Sequence, residues 1–429
     1  MVSEPYVPLE KLNSTYLNKM VVCEGVVTKL SPVYQDENYG FIQSVHVQGL
    51  KDDHKKFGIH HEKEVILTES TNGFPSLGDK IQITGTLEIN NVQNGKTMNM
   101  ILVAKDIKII NENIEITRQD ISEIKLFALN PSIQSILADY IFQDDIFIND
   151  DIKLIGTLLL ACNIVPHLVT NKISCYLSLL IVGGSKTSKS SFLKILNNFF
   201  PNNTIQFSQK SEERFVQYNS RDKKGGKHIE KAGLTEFATN GMILIDNLTE
   251  MKPYRLTKLY EEFDEILRKS SIIAAANTGD NKWYDDISHK SRSVYDNLKF
   301  QHKNKILSKF DLVLISTNKK INDIKGTRES LKNIKRDFLR KYIIYSKRTY
   351  DPKLSKPAIA YIKEFTNEME SINNEKNKER KMEGFPLTRM IFILSRAYAR
   401  IALKNEIIMR DVQKIAEICK KSLENLDLI

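Results

Sequence analysis

Cysteine is scarce in this chain of 429 residues, which carries only four copies of it. Cys23, Cys162, Cys175 and Cys419 are scattered, with no Cys-x-x-Cys pair among them. Such spacing argues against a zinc ribbon and against a framework of disulfides, which small secreted domains use in place of a large core. We therefore expect a protein of a reducing, intracellular compartment.

Long hydrophobic runs are also missing. The longest apolar stretches, Leu154–Ala161 and Leu177–Val182, are far shorter than the roughly 20 residues that a membrane-spanning helix needs. The N-terminus has no basic segment followed by an apolar core, so the sequence predicts no signal peptide. These absences predict a soluble protein without a membrane partner.

Acidic residues are outnumbered by basic ones: 53 aspartates and glutamates face 63 lysines and arginines, which gives a net charge of +10. A positive net charge steers a protein toward anionic partners such as nucleic acid, although it identifies no binding site. Lysine far exceeds arginine, and asparagine and isoleucine are abundant, which is typical of A·T-rich genomes. The bias of the genome toward A·T is therefore an alternative explanation for part of the positive charge.

Residues 1–112 carry a pattern of short β-strands. The β-branched or alternating segments are Met20–Thr28, Phe41–Val47, Ile81–Leu87, Glu88–Val92 and Thr97–Ala104. Between the last two, Asn94-Gly95 is a strong signal for a hairpin turn. So many short strands in so short a segment predict a small antiparallel barrel, with an OB-fold as the natural candidate. A small sandwich is the alternative.

Residues 113–332 change to a helical pattern interrupted by apolar runs. Thr117, followed by Asp120, is typical of a helix start, and Ile152–Val165 predicts a long buried helix. Continuous apolar runs lie at Leu177–Val182, Met242–Ile245, Ile272–Ala276 and Leu312–Ser316. Because helical patterns separate these runs, they predict a parallel α/β sheet. We expect residues 333–429 to be helical, with a charged, flexible interruption at Asn373–Glu383.

A glycine-rich loop follows the first of these apolar runs and precedes a predicted helix. It reads Gly183, Gly184, Ser185, Lys186, Thr187, Ser188, Lys189 and Ser190. In this frame we expect backbone N–H groups to face the phosphates of ATP, Lys189 to reach the β- and γ-phosphates, and Ser190 to ligate Mg²⁺. Ser188 stands where the strict pattern has a glycine. An ordinary strand–turn–helix with a surface lysine is the alternative.

Two further strands end in polar residues that suit the same nucleotide. Asp246 follows a buried run and is expected to support Mg²⁺. Asn247 takes the position of the general base, and because a neutral amide cannot accept the proton of water, we expect slow hydrolysis. Asn277 is placed to contact the γ-phosphate or its attacking water, unless it merely starts a turn.

The order of these segments and the residues in them resemble those of the minichromosome maintenance (MCM) helicases, a family of AAA+ ATPases, from about residue 15 to residue 425. The matching segments are Gly183–Ser190 for the Walker A loop, Gly241–Met251 for Walker B, Ala274–Asn277 for sensor 1, Ile306–Leu312 for the arginine-finger segment and Leu387–Arg389 for the lid helix with sensor 2. The resemblance implies an α/β P-loop AAA+ ATPase domain with a C-terminal helical lid, preceded by a small β-barrel (OB-fold) domain. It also makes Ser188 a match, since serine is usual there in the family.

The resemblance implies partners as well. Lys309 and Arg389 would reach the ATP of a neighbouring subunit, in a hexameric ring or hetero-oligomer of MCM-type chains. Ser220–Gly233 resembles a hairpin that faces single- or double-stranded DNA, although a solvated hairpin is the alternative. The basic residues at its tip are Lys223, Lys224 and Lys227. The implied location is the nucleus in a eukaryote and the cytoplasm otherwise.

The departures from the family pattern point to a reduced member. Asn247 stands where the family has a catalytic glutamate, and Lys309 stands at the arginine finger without the bidentate fork of arginine. Against the family pattern, the interval from Met251 to Ala274 is short for the pre-sensor-1 hairpin, and we expect neither the zinc-binding subdomain nor the helical domain that usually precedes the barrel. We expect an ATP-binding ring subunit of replication or recombination with weak or no hydrolysis. A fully active DNA helicase and a viral or plasmid initiator ATPase are the alternatives.

Overall fold

A computed structural model of the chain forms two compact units. The first comprises Met1–Asn113 and Lys210–Thr239, and the second comprises Ile114–Gln209 and Asn240–Ile429. The structure describes residues 4–31, 33–36, 40–49, 62–72, 75, 78–90, 99–110, 114, 116–142, 148–162, 176–184, 187–200, 204–207, 214–221, 228–239, 241–278, 298, 303–316, 334–376, 387–426 and 428–429.

The regular elements alternate along the chain as follows. The strands are β1 Met20–Leu30, β2 Tyr34–Asp36, β3 Gly40–Gly49, β4 Glu62–Asn72, β5 Lys80–Asn90, β6 Asn99–Ile109, β7 Ser178–Gly183, β8 Thr204–Phe207, β9 Tyr218–Arg221, β10 His228–Lys231, β11 Met242–Ile245, β12 Ser271–Asn277, β13 Leu312–Ile315, β14 Lys353–Leu354 and β15 Glu406–Ile407. The α-helices are α1 Arg118–Phe127, α2 Ile133–Ile141, α3 Asp150–Cys162, α4 Lys189–Phe199, α5 Leu234–Phe237, α6 Pro253–Lys269, α7 Lys303–Leu307, α8 Arg336–Thr349, α9 Lys356–Lys376, α10 Leu387–Ile401 and α11 Met409–Asn425.

The first unit is built around a small closed barrel of five strands. Strand β1 pairs with β5 on one side and with β3 on the other, and β4 and β6 complete the circle. The β4–β6 pair is parallel, so the expectation of a wholly antiparallel barrel was wrong at this one junction. The strand β4 at Glu62–Asn72 was not predicted from the sequence. The Asn94-Gly95 turn lies outside the described residues, but β5 and β6 pair antiparallel on either side of it.

The barrel core follows from the period-two pattern of its strands. Alternate residues of β1 and β5 point inward, so that Val21, Cys23, Ile81 and Ile83 are all fully buried. Burial raises the pKa of the Cys23 thiol to about 12, which keeps it protonated and unreactive. Cys23 therefore acts as a small core residue, as its isolated position in the sequence suggested.

A hairpin from the middle of the chain extends the barrel sheet. Strands β9 and β10 pair antiparallel, and β10 pairs with the end of β1 through Lys29–Lys231 and Leu30–Glu230. The predicted hairpin at Ser220–Gly233 is thus present, and it belongs to the same compact unit as the barrel. Its tip lies outside the described residues, and with it Lys223, Lys224 and Lys227.

The second unit contains a five-stranded parallel sheet in the order β13-β7-β12-β11-β8. Its central strands are buried on both faces, as their unbroken apolar sequences predicted. The predicted helix start is also correct. Thr117 caps α1, and its backbone N–H donates to Asp120 at 2.8 Å while the Asp120 N–H donates back to the threonine hydroxyl at 3.2 Å.

Helices α8 to α11 form a helical C-terminal portion, and polar side chains join these helices to one another and to α3. The Tyr342 hydroxyl donates to the Ile401 carbonyl at 2.6 Å, and buried Arg400 donates to the Ala161 carbonyl at 2.7 Å. The interruption expected from Asn373 onward was wrong for its first residues, since α9 continues to Lys376. The Asn373 amide is buried and donates to the Leu428 carbonyl at 2.6 Å, so residues 373–376 belong to the helix, and the rest of the predicted interruption lies outside the described residues. None of the helices in the described parts of the chain is long and apolar enough to cross a membrane.

Candidate nucleotide-binding site

The carboxyl ends of the parallel strands bring the predicted site residues to one edge of the sheet. Asn277 at the end of β12 lies opposite Gly183 at the end of β7. Strand β11 pairs on the other side of β12 and leads directly into Asp246 and Asn247. Ligands of open α/β sheets bind at this edge, where loops and helix starts converge. Residues far apart in sequence therefore meet here because of the strand order.

The glycine-rich loop begins at Gly183, where a side chain could not be accommodated. A Cβ atom there would lie 2.6 Å from the Ser316 carbonyl oxygen and 2.8 Å from the Thr187 hydroxyl. At the other end of the loop, Ser188 has a φ of 58° in the left-handed region, and α4 begins at the next residue. This backbone conformation explains why the strict pattern has glycine at that position, and serine adopts it at a cost of about 1 kcal/mol.

Lys189 is held inside the loop. Its ammonium group donates to the carbonyl oxygens of Gly183 at 2.9 Å and Gly184 at 2.6 Å, and to the Thr187 hydroxyl at 2.9 Å. Burial lowers the pKa of Lys189 to about 8, although the nearby carboxylate of Asp246 opposes this shift. The arrangement is not that of a surface lysine. Ser185 and Lys186 lie outside the described residues.

Ser190 and Asp246 are brought together as the sequence predicted. The Ser190 hydroxyl donates to a carboxylate oxygen of Asp246 at 3.0 Å, across 56 positions of the chain. A hydroxyl and a carboxylate side by side are hard oxygen donors, which Mg²⁺ prefers. These two side chains therefore fit a magnesium ion beside the glycine-rich loop.

Asn247 and Asn277 form a pair of neutral amides at the same edge. The side-chain nitrogen of Asn277 donates to the side-chain oxygen of Asn247 at 2.8 Å. Asn247 has a φ of 55° and a ψ of 53°, a left-handed conformation that asparagine tolerates better than most residues. The structure thus joins the two predicted residues, and neither side chain is able to act as a base.

A further polar residue at this edge was not predicted from the sequence as part of the site. Ser316 follows β13, is fully buried, and donates from its hydroxyl to the Thr187 carbonyl at 2.8 Å. It thereby holds the loop from the side of β13. Its signal was present, because a polar residue at the end of an apolar run is the pattern that pointed to Asp246 and Asn277.

Lys309 and Arg389 do not approach this edge. Lys309 precedes β13 and pairs with Asp264 at 2.6 Å, while Arg389 contacts buried Asp311 at 3.5 Å and the Tyr176 carbonyl at 2.5 Å. Asp311 is anchored to Ser178, the first residue of β7, by a 2.7 Å bond from the serine N–H. Both cations therefore lie at the amino end of the sheet, and the six residues of β7 separate the two edges by about 20 Å.

The interval between Asp246 and Asn277 is compact. After a short 3-10 turn at Leu248–Glu250, the single helix α6 leads through Ser270 into β12. The structure describes every residue of this interval, and it contains no hairpin.

Comparison with known proteins also identifies a P-loop domain followed by a lid domain. The family model for the MCM P-loop domain matches residues 120–328, and that for the MCM AAA-lid domain matches residues 337–423. The chain is 25% identical over 393 residues to the minichromosome maintenance protein MCM of Saccharolobus solfataricus, covering 85% of this chain and 56% of that protein. It is 25% identical over 343 residues to the DNA replication licensing factor mcm-6 of Caenorhabditis briggsae, covering 72% of this chain and 41% of that protein.

A third relative, the DNA replication licensing factor Mcm6 of Anopheles gambiae, is 23% identical over 345 residues, which are 72% of this chain and 40% of that protein. The chain thus spans about half of the length of these curated relatives or less. Its sheet and helical C-terminal portion are an AAA+ P-loop domain with its lid. The chain therefore belongs to the minichromosome maintenance family.

Proposed function

We propose that this protein binds ATP with Mg²⁺ at the loop Gly183–Ser190. The observation that carries the proposal is the contact of Ser190 with Asp246 at 3.0 Å, beside the buried ammonium group of Lys189. Lysine supplies the positive charge for the phosphates, and the start of α4 offers its backbone N–H groups. Ser190 and Asp246 would hold the magnesium ion, which offsets phosphate charge when it is bound.

The proposed setting of this ATP site is a ring of MCM-type subunits on DNA. A nucleotide at the carboxyl edge of one sheet needs cations from elsewhere, and Lys309 and Arg389 lie at the opposite edge of their own chain. A head-to-tail ring would bring them to the nucleotide of the next subunit. The net charge of +10 and the names of the relatives, which are replication proteins, support DNA as the partner.

The barrel and its hairpin are the proposed DNA-binding portion. Omitting the short β2, the strand order with its parallel β4–β6 pair supports an OB-fold, a barrel that often binds oligonucleotides. Lys223, Lys224 and Lys227 between β9 and β10 add positive charge at the hairpin. The corresponding cellular place is the nucleus of a eukaryote or the cytoplasm of a prokaryote.

We expect hydrolysis by this subunit alone to be slow. Asn247 offers an amide oxygen where a carboxylate would polarise the attacking water, and that oxygen accepts a hydrogen bond from Asn277. Lys309 would present a point charge to the neighbouring nucleotide instead of a planar fork. Because an arginine finger alone contributes about 10³-fold or more, the two changes together predict turnover well below about 1 per second.

Steady-state ATP hydrolysis with and without single-stranded DNA tests this expectation. We expect Asn247→Glu to raise the rate at least about tenfold, and Asn247→Gln, which has the same length without the charge, to leave it low. Both variants carry similar backbone strain at a φ of 55°, so they form a matched pair. Wild-type turnover above about 1 per second would contradict reduced hydrolysis and favour an active helicase.

A further inference from the structure

The carboxyl end of α4 is closed by a side chain from the lid. Arg340 on α8 donates from Nε to the Phe199 carbonyl at 2.6 Å and from Nη2 to the Asn198 carbonyl at 2.7 Å. Carbonyl groups in the last turn of a helix have no partner within that helix. Phe200, the residue that follows, has a φ of −128° rather than the left-handed conformation that closes many helix ends. The guanidinium group therefore serves as the cap.

The opposite end of the same helix is the nucleotide site. Helix α4 starts at Lys189, continues with Ser190, and has 11 residues, so its two ends are about 16 Å apart. Its apolar face is buried through Phe192, Leu193 and Leu196. Because packed interiors resist local deformation, a helix seated in this way moves as one body. A displacement of its carboxyl end is therefore transmitted to Lys189 and Ser190.

Arg340 projects from a firmly held part of the lid. The adjacent Lys341 pairs with Asp120 of α1 at 3.0 Å, and the next residue, Tyr342, donates to the Ile401 carbonyl of α10 at 2.6 Å. Consecutive residues of α8 thus contact three different helices. The bonds from Arg340 consequently fix the end of α4 relative to the lid.

We propose that Arg340 is a positioning residue that couples the lid to the nucleotide site through α4. The inference rests on the proposed binding of ATP by Lys189 and Ser190. The charge of Arg340 does not act directly on the nucleotide site. The two ends of α4 are about 16 Å apart, which exceeds the screening length of about 8 Å at physiological ionic strength. The coupling is geometric, because without the Arg340 cap the carboxyl end of α4 is no longer bonded to the lid.

The test compares three variants with the wild-type protein. Arg340→Gln removes the fork, Arg340→Lys keeps a cation without it, and Arg348→Gln removes an exposed arginine from the same helix. We expect Arg340→Gln to raise the Kd for a fluorescent ATP analogue with Mg²⁺ at least about fivefold, because the loop at the start of α4 is no longer held in place before ATP binds. Arg340→Lys should give a smaller rise, and Arg348→Gln none.

Amide hydrogen exchange without nucleotide gives a second readout. In Arg340→Gln we expect faster exchange at both ends of α4, including residues 192 and 193 near the loop, and unchanged exchange in Arg348→Gln. An unchanged Kd, with faster exchange confined to residues 196–200, would overturn the coupling and leave a local cap. If the wild-type protein binds no ATP, the proposed function fails, while exchange near the loop still tests the coupling. Should Arg340→Gln not fold, the comparison with Arg340→Lys decides.

Discussion

At the scale of single residues, the ammonium group of Lys189 is a buried cation of the candidate site. The side chain is only 5% exposed, and all three of its hydrogen-bond partners belong to its own loop. Its pKa of about 8, against an ordinary value of 10.5, means that burial penalises the charged form. The charge needed for phosphate binding is therefore lost within an accessible pH range.

This shift predicts opposite pH trends for affinity and stability. Between pH 8 and 10.5 the unfolded chain keeps the Lys189 proton while the folded chain releases it, so this residue's contribution to stability rises with pH. ATP affinity should fall, by about tenfold from pH 7 to pH 9, because the ammonium form becomes rare. Titration calorimetry at both pH values checks this. Lys189→Arg, which stays charged, should flatten the profile, and an equally steep profile in that variant would contradict the assignment.

The two cations at the other edge of the sheet, Arg389 and Lys309, are expected to contribute differently to the stability of the fold. Arg389 pairs with Asp311, whose carboxylate is 2% exposed, whereas Lys309 pairs with Asp264, whose side chain is 71% exposed. Burial raises the pKa of Asp311, and the positive charge of Arg389 opposes that rise. Removing Arg389 would thus leave a buried carboxylate without its cation.

We therefore expect Arg389→Ala to lower the free energy of unfolding by about 2–3 kcal/mol, a figure reduced because Arg389 is itself partly exposed. Lys309→Ala should cost less than about 1 kcal/mol. Urea denaturation of the two variants, compared at equal m-values, measures the difference. Equal losses would show that Arg389 has no special role in holding its own chain together. This comparison is needed to separate a loss of ATP turnover in Arg389→Ala from a loss of folded protein.

At the scale of elements, buried strands were predicted best. The run Met242–Ile245 matches β11 at both ends, and β12 extends the predicted run by one residue at each end. Continuous apolar sequence is sufficient for a strand that is buried on both faces. Strand β4 was missed because its sequence, with Glu62, Thr68 and Ser70, lacks a clean alternation. Its place is set by neighbours in the barrel rather than by its own pattern.

The attachment of the segment Lys210–Thr239 to the barrel was not predictable from local sequence. Its β10 strand pairs with β1 about 200 positions earlier in the chain, a long-range contact that periodicity does not report. Gly78 marks a second contact: its φ is +83°, and a Cβ atom there would lie 2.1 Å from the Glu236 carbonyl oxygen.

Gly78 therefore provides a test of this attachment. We expect Gly78→Ala to lower the free energy of unfolding by at least about 2 kcal/mol, because the added carbon meets backbone atoms. Limited proteolysis should then cut within residues 210–239 more readily than in the wild-type protein. Gly78→Asn separates the causes, since asparagine tolerates positive φ but still carries a Cβ. If both variants are as stable and as resistant as the wild-type protein, the close contact with Glu236 does not exist.

At the scale of the whole molecule, the order of site segments along the chain predicted the family, and the strand order explains the site. Lys189, Asp246 and Asn277 were predicted as one site from the ends of three apolar runs, and the sheet brings those ends to one edge. The sequence did not reveal the partners that Lys309 and Arg389 find within their own chain. Asp264 and Asp311 carry no motif, and their contacts exist only after the helices and strands have packed.

One edge of the sheet carries the glycine-rich loop and the other carries Lys309 and Arg389, an arrangement that suits the proposed sharing of ATP between neighbouring subunits. Every part of that account depends first on whether the loop binds ATP. Slow hydrolysis and the sharing of ATP in a ring are meaningful only for a chain that holds the nucleotide.

The decisive measurement is calorimetric titration of the wild-type protein with ATP and Mg²⁺, beside Lys189→Ala and the control Lys194→Ala. Lys194 is exposed on the same helix α4 and lies outside the loop. We predict saturable binding at one site, unchanged in Lys194→Ala and weakened at least about tenfold in Lys189→Ala, since a buried cation facing phosphate is removed. Absence of binding in the wild-type protein, or equal affinity in all three proteins, would contradict the account.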